Sequence, residues 1–124
     1  MIKIPRRRKA KRKPFFYENS EILRVEDDDT FLAKIDFGFK IFHEDRFRVR
    51  GVDTPEPRGK RKSPKGLEVK KYVKDLIEGK TFELETFKKG RFGRYVADIY
   101  LKKGKKESLS QLLLKKGFAK KVNW

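Results

Sequence analysis

A chain of 124 residues with 35 Lys and Arg against 18 Asp and Glu has a formal charge of +17 and room for one compact domain. That charge makes a polyanion, nucleic acid first, the expected partner through counterion release, while a membrane surface or a ribosomal-type scaffold role stays open on charge alone. The lack of cysteine excludes disulfides and thiolate metal centres, so a bound metal must be held by oxygen or by the lone His43.

Residues 1–13 hold eight Lys or Arg and no acid, with Pro5 inside the run and Pro14 closing it. Such a segment cannot bury a core face, and it is expected to form a basic, disordered arm over residues 1–19 ahead of a folded domain over 20–124. Removing those eight charges from +17 leaves +9, so the folded part should still attract nucleic acid. No apolar stretch of signal-peptide or transmembrane length occurs. The default expectation is therefore a soluble, cytoplasmic monomer, with no membrane association and no protein partner implied.

From Glu21 the pattern is that of strands: Ile22 to Val25, then Phe31, Ala33, Ile35 and Phe37 alternating with more polar neighbours. A hairpin is expected around Phe37 to Lys40. A third strand from about Phe42 to Val52 alternates Phe47, Val49 and Gly51 with Arg46, Arg48 and Arg50, which places three arginines on one face. Pro57 to Lys65 has loop composition. Leu67, Val69, Tyr72, Val73, Leu76 and Ile77 recur at helical spacing, with Gly79 placed to stop the helix. Thr81 to Phe87 and Arg94 to Leu101 are the fourth and fifth strands, and a short helix follows over Leu109 to Lys115, ended by Gly117. The expected class is β-rich α+β: an OB-fold five-stranded barrel with a helix after strand 3 and a short helix after strand 5. A non-barrel α+β sandwich is the alternative, because periodicity does not fix strand order.

Carboxylates gather at two places in this cationic chain, Glu26-Asp27-Asp28-Asp29 and Asp53 to Glu56. Asp29 and Asp53 could offer oxygens to one hard cation such as Ca2+. The bland reading of the triplet is a solvated acidic turn, and that of Asp53 and Glu56 a salt-bridged strand end. Pro55 keeps Thr54 extended, so the second cluster is a stiff turn beside the arginine-bearing strand. A guanidinium gives phosphate two hydrogen bonds and stays charged, which suits Arg48 and Arg94, although charge alone does not separate them from Arg46, Arg50 or Arg91. His43 has no second His or Ser partner nearby in sequence and reads as a surface residue, leaving Glu56 the better base.

Four segments in order, Val25 to Thr30, Phe47 to Glu56, Phe92-Gly93-Arg94 and Gly117-Phe118-Ala119, resemble the motifs of the staphylococcal nuclease-like, or thermonuclease, family over roughly Ser20 to Lys121. The resemblance implies an OB-fold barrel and a Ca2+-dependent endonuclease that hydrolyses DNA and RNA to 3′-phosphate ends. By position, Asp29 and Asp53 would ligate calcium through their side chains and Thr54 through its carbonyl. Arg48 and Arg94 would clamp the scissile phosphate, and Glu56 would position or deprotonate water. Lys88, Lys89, Arg91 and Phe92 would meet the nucleic acid. Three departures accompany the match. Asp28 stands for the family's glycine, adding charge beside the metal and a Cβ in the turn; Phe92 stands for Tyr; and Ser110 stands for an Asn common in the last helix. The third helix of the family has no counterpart before Trp124. A noncatalytic OB-fold nucleic-acid binder is the alternative function, and a basic structural protein a third.

Overall fold

The computed structural model describes residues 15–54, 64–89 and 95–121, with backbone only at 88 and 89. Its first strand, β1 (Phe15–Asp27), is long because it serves two neighbours. Phe15 to Glu21 pairs antiparallel with β5 (Thr81–Lys89), and Ser20 to Asp27 pairs antiparallel with β2 (Thr30–Asp36). Register shifts at Tyr17/Ser20, Ile22/Arg24 and Val25/Asp27 bend the strand between the two partners, the usual effect of an extra residue on one side of a ladder. The strand begins ahead of the expected boundary at Ser20, so Phe15 to Asn19 belong to the sheet and not to an arm.

β3 (Phe42–Val49) pairs with β2 over its whole length, and β5 pairs with β6 (Tyr95–Lys102). A parallel contact of Phe47, Val49 and their neighbour Arg48 with Tyr95 to Ala97 closes the five strands into a barrel. Three short strands lie outside that barrel: β4 (Val52–Asp53), β7 (Lys106–Ser108) and β8 (Lys120–Lys121). The expected third strand thus breaks after Val49. Gly51, at φ 72°, turns the chain, a left-handed conformation that glycine adopts without steric cost, and Val52–Asp53 then pairs with Lys121–Lys120.

Helix α1 (Pro64–Ile77) follows β4. Val69, Val73 and Ile77 recur every four residues and are buried against the barrel with Ile22, Phe31, Phe47, Leu84 and Ile99. Each such side chain contributes about 1.5–3 kcal/mol on leaving water. Gly79, at φ 78°, ends the helix and donates to the Ile22 carbonyl at 2.7 Å, while Ile22 N–H donates to the Lys80 carbonyl at 2.9 Å. The Glu78 carboxylate accepts from Val25 N–H at 2.9 Å. One end of the barrel is therefore stitched shut by α1.

Helix α2 (Leu109–Lys115) is capped by Ser108, whose Oγ accepts from Gln111 N–H at 3.2 Å. Leu109 and Leu113 anchor it in the core. Because α2 lies over β6, residues Val96 to Ile99 are buried in an unbroken run. The class expected from sequence, a mostly β barrel with two helices, is the class found.

Candidate active site

The acidic run ends in the two-residue turn Asp28–Asp29 between the paired residues Asp27 and Thr30. Thr30 stands opposite Arg48 in the β2–β3 register, and the Asp29 carbonyl accepts from Val49 N–H at 2.8 Å. Strand pairing therefore fixes the turn beside Arg48. The Asp29 carboxylate accepts from the Thr30 hydroxyl at 3.0 Å through one oxygen and lies 3.4 Å from the Arg48 guanidinium through the other. Both side chains are mostly shielded, 15 % and 24 % exposed. Thr30 is the member of this group that sequence reasoning left without a role, although it stands inside the quoted motif.

Arg46 and Arg48 of β3 and Arg50 in the turn after it have different company. Arg46 donates to Glu26 at 2.7 Å, and Arg24 contacts the same carboxylate at 2.8 Å. The hydrogen bond from Arg46 holds the Glu26 carboxyl below its ordinary range, against an opposing effect of burial and with help from Arg24. Arg50 lies 3.9 Å from the centre of the Phe87 ring, a cation–π distance. Arg48 alone of the three faces the Asp29 turn. The structure thus separates residues that charge could not.

Asp28 departs from expectation. It is buried, at 1 % exposure, and does not adopt a positive φ, so the turn does not demand at this place the left-handed conformation that a Cβ disfavours. Asp53 sits on β4 with its side chain exposed, held in register opposite Lys120. The chain returning from α2 thereby fixes the strand that carries it. Thr54 follows, half-buried, its hydroxyl without a hydrogen bond among the described residues. His43 is exposed and pairs with Asp45 at 3.3 Å.

Glu56, Arg91, Phe92 and Arg94 lie outside the described residues, as do the side chains of Lys88 and Lys89. Among the described residues no three of His, Cys, Asp and Glu gather into a metal cage. The residues expected to hold a cation, Asp29, Asp53 and the Thr54 carbonyl, offer only oxygen, a donor chemistry that suits a hard cation such as Ca2+ or Mg2+ and not a soft transition metal.

Asp98 on β6 is a buried carboxylate that sequence reasoning did not single out. The Ser110 hydroxyl donates to it at 3.0 Å and Ser110 N–H at 3.5 Å, and Ser108 Oγ lies 3.2 Å from Ser110 Oγ. Burial pushes its pKa up to about 6, against the lowering effect of the Ser110 hydrogen bonds and the Arg50 charge. The serine in the family's asparagine position is therefore hydrogen-bonded. Nothing in a lone Asp at this point of a strand signals such burial.

The family model described as staphylococcal nuclease homologue matches residues 46–124, a range that contains Arg48, Asp53, Thr54, Glu56 and Arg94 but not Asp29. The chain is 36 % identical over 74 residues to the staphylococcal-like nuclease CAN1 of Arabidopsis thaliana, covering 60 % of this chain and 21 % of that protein. To the probable staphylococcal-like nuclease CAN3 of Oryza sativa subsp. japonica it is 34 % identical over 80 residues, 64 % of this chain and 18 % of that one. An uncharacterized 38.1 kDa protein of Capnoides sempervirens is 35 % identical over 74 residues, 60 % and 20 % of the two chains. The matches thus span about a fifth of each relative. The barrel closed through β3 and β6, the Asp29–Arg48 turn on it and a family match over most of the chain agree: the chain belongs to the staphylococcal nuclease family.

Proposed function

We propose that the protein is a Ca2+-dependent, largely sequence-nonspecific endonuclease that hydrolyses phosphodiester bonds of DNA and RNA and leaves 3′-phosphate ends. The observation that carries this reading is the Arg48 guanidinium held 3.4 Å from the Asp29 carboxylate, where strand pairing joins the acidic turn to a basic strand. Family membership supports the rest. Asp29, Asp53 and the Thr54 carbonyl would hold the cation, which when bound supplies positive charge beside a phosphoryl oxygen.

The chain's own residues divide the remaining work. Arg48 and Arg94 clamp the non-bridging phosphate oxygens and bind the extra negative charge of the transition state more tightly than the ground-state diester. Glu56 orders the attacking water and accepts its proton as the oxygen bonds to phosphorus. The bond from phosphorus to the 5′ oxygen then breaks, and that oxygen takes a proton from solvent. Lys88, Lys89 and Arg91 contact flanking phosphates, and Phe92 offers a stacking face. The net charge of +17 raises the local concentration of polyanion in a salt-sensitive way.

The test is incubation with single-stranded DNA and RNA in Ca2+, in Mg2+ and in chelator, alongside Glu56→Ala and Arg94→Ala. Cleavage only with cation, lost in both variants, is expected. Cleavage indifferent to chelator and to both substitutions would sink the site, and binding without cleavage in every condition would select a noncatalytic OB-fold nucleic-acid binder.

A further inference from the structure

Helix α1 closes one end of the barrel, and at the far end of β1 the barrel opens into a cleft of about 280 Å3. This is near the low end of the ~300–1,000 Å3 typical of small-ligand pockets, so it suits one or two small planar groups. Its walls are largely aromatic: Phe15 and Tyr17 from β1, Phe37 from the hairpin, Phe47 from β3, Phe87 from β5 and Tyr95 from β6. Phe37 stands edge-on to Tyr17 at 5.3 Å, and Tyr95 is tilted on Phe47 at 6.4 Å. The hydrophobic effect should bury such rings, yet Phe15 is 63 % exposed, Phe37 46 % and Tyr95 36 %. Among the described residues, three of the seven exposed large hydrophobics line this mouth, and two more, Phe39 and Ile41, stand in the adjoining turn, a concentration that marks a binding surface.

We infer that this mouth is a base-stacking site for single-stranded nucleic acid, separate from the phosphate-binding centre. The inference rests on the nucleic-acid reading proposed above. Three observations select an unpaired base over other occupants. Flat ring faces open to solvent stack any base, whatever its identity. On the wall, Asp45 with its partner His43 at 3.3 Å repels phosphate from the interior while offering an acceptor to base N–H groups such as the cytosine N4 amine. Arg50 lies over the ring of Phe87, which lines the cleft, a cation that an excluded phosphate backbone could meet.

One strand, β3, joins the two sites. Phe47 lines the cleft, and Arg48, the next residue, turns to the opposite face of β3 beside Asp29. From Asp45 on the cleft wall to Arg48 is about 10 Å along β3, the rise of three β residues. A duplex, with its bases paired, cannot enter the mouth.

The test is binding of a labelled oligodeoxycytidine and of a duplex of equal length, both in chelator, to the wild type and to Phe37→Leu, Phe37→Tyr, Phe15→Leu and Phe15→Tyr. Leucine keeps apolar area and loses the ring face; tyrosine keeps the face. The Leu variants should bind the single strand about fivefold to a hundredfold more weakly, the Tyr variants within about twofold of wild type, and none should change duplex binding. An unchanged thermal midpoint shows that the Leu variants are folded, and Phe15, at the exposed end of β1, serves as the second variant if Phe37→Leu does not fold. Leu variants that bind the single strand like wild type, or that lose duplex binding equally, overturn the inference. So does a wild-type dimer that Phe37→Leu dissociates, which would assign the mouth to a second copy of the chain. Because binding is read without cation, a chain that stacks bases here but never cuts overturns the nuclease alone.

Discussion

Replacing Asp98 by Asn should stabilise the protein at neutral pH and leave it almost unchanged in acid. The carboxyl has an ordinary pKa of 3.8, raised to about 6 in the fold because burial disfavours its charge more than Ser110 and Arg50 favour it. At about 1.36 kcal/mol for each tenfold in proton affinity, the folded chain holds this proton about 3 kcal/mol more tightly than the unfolded chain does. The sign follows from linkage: between pH 3.8 and about 6 the native state binds more protons, so the contribution is full below 3.8 and is lost as pH rises through 6. Asparagine stays neutral throughout and, like the protonated acid, retains an acceptor oxygen for the Ser110 hydroxyl, now 3.0 Å from the carboxylate. Urea unfolding of both proteins at about pH 3 and about pH 7.5, on either side of this window, should give near-equal stabilities in acid and a variant more stable by about 3 kcal/mol at the higher pH. The thermal midpoint should rise by roughly 10 °C there. Comparing the two proteins at each pH cancels every other titrating group. A stability difference that does not change with pH would refute the reasoning.

Three further outcomes follow from separate parts of the molecule. Arg48→Lys keeps charge but loses the planar fork beside Asp29, and under the proposed function cleavage should fall about 10²–10³-fold; a loss below tenfold, by initial rates in Ca2+, would remove Arg48 from the phosphate clamp. Leu113, on α2 and fully buried, should cost about 2–5 kcal/mol when cut to Ala, and an unfolding free energy within about 1 kcal/mol of wild type would mean that α2 does not anchor the core. The β2–β3 turn places Phe39 at φ 55° and Lys40 at φ 61°, with Ile41 N–H donating to the Gly38 carbonyl at 2.9 Å, a primed turn that favours Asn-Gly. Phe39→Asn with Lys40→Gly should therefore stabilise by about 1 kcal/mol, and a lowered thermal midpoint would show that these side chains are needed where they stand.

What could be read in advance was whatever repeats with the period of one element. Phe47 and Val49 go inward and Arg46 and Arg48 outward because a strand alternates, and Val69, Val73 and Ile77 mark α1 because a helix returns every four residues. Where one segment serves two neighbours the period dissolves. Phe15 to Asn19 reads as arm because the rings of Phe15, Phe16 and Tyr17 stand together in sequence, yet Tyr17 faces the cleft and Phe16 takes Lys105 over its ring at 5.0 Å. Two-residue strands have no period at all, so the β4–β8 pairing that fixes Asp53 opposite Lys120 had no sequence signal. β6 is buried along Val96 to Ile99 because α2 covers its outer face, and this turns Asp98 from a plausible surface acid into a titrating core group. The site follows the same division. Motif order brings Asp29 and Arg48 into one argument, but only the opposition of Thr30 and Arg48 in the β2–β3 register separates Arg48 from Arg46 and Arg50. The alternation of β3 also sends Phe47 and Arg48, adjacent in sequence, to different sides, one to the aromatic cleft proposed to take a base and one to the Asp29 turn proposed to take a phosphate.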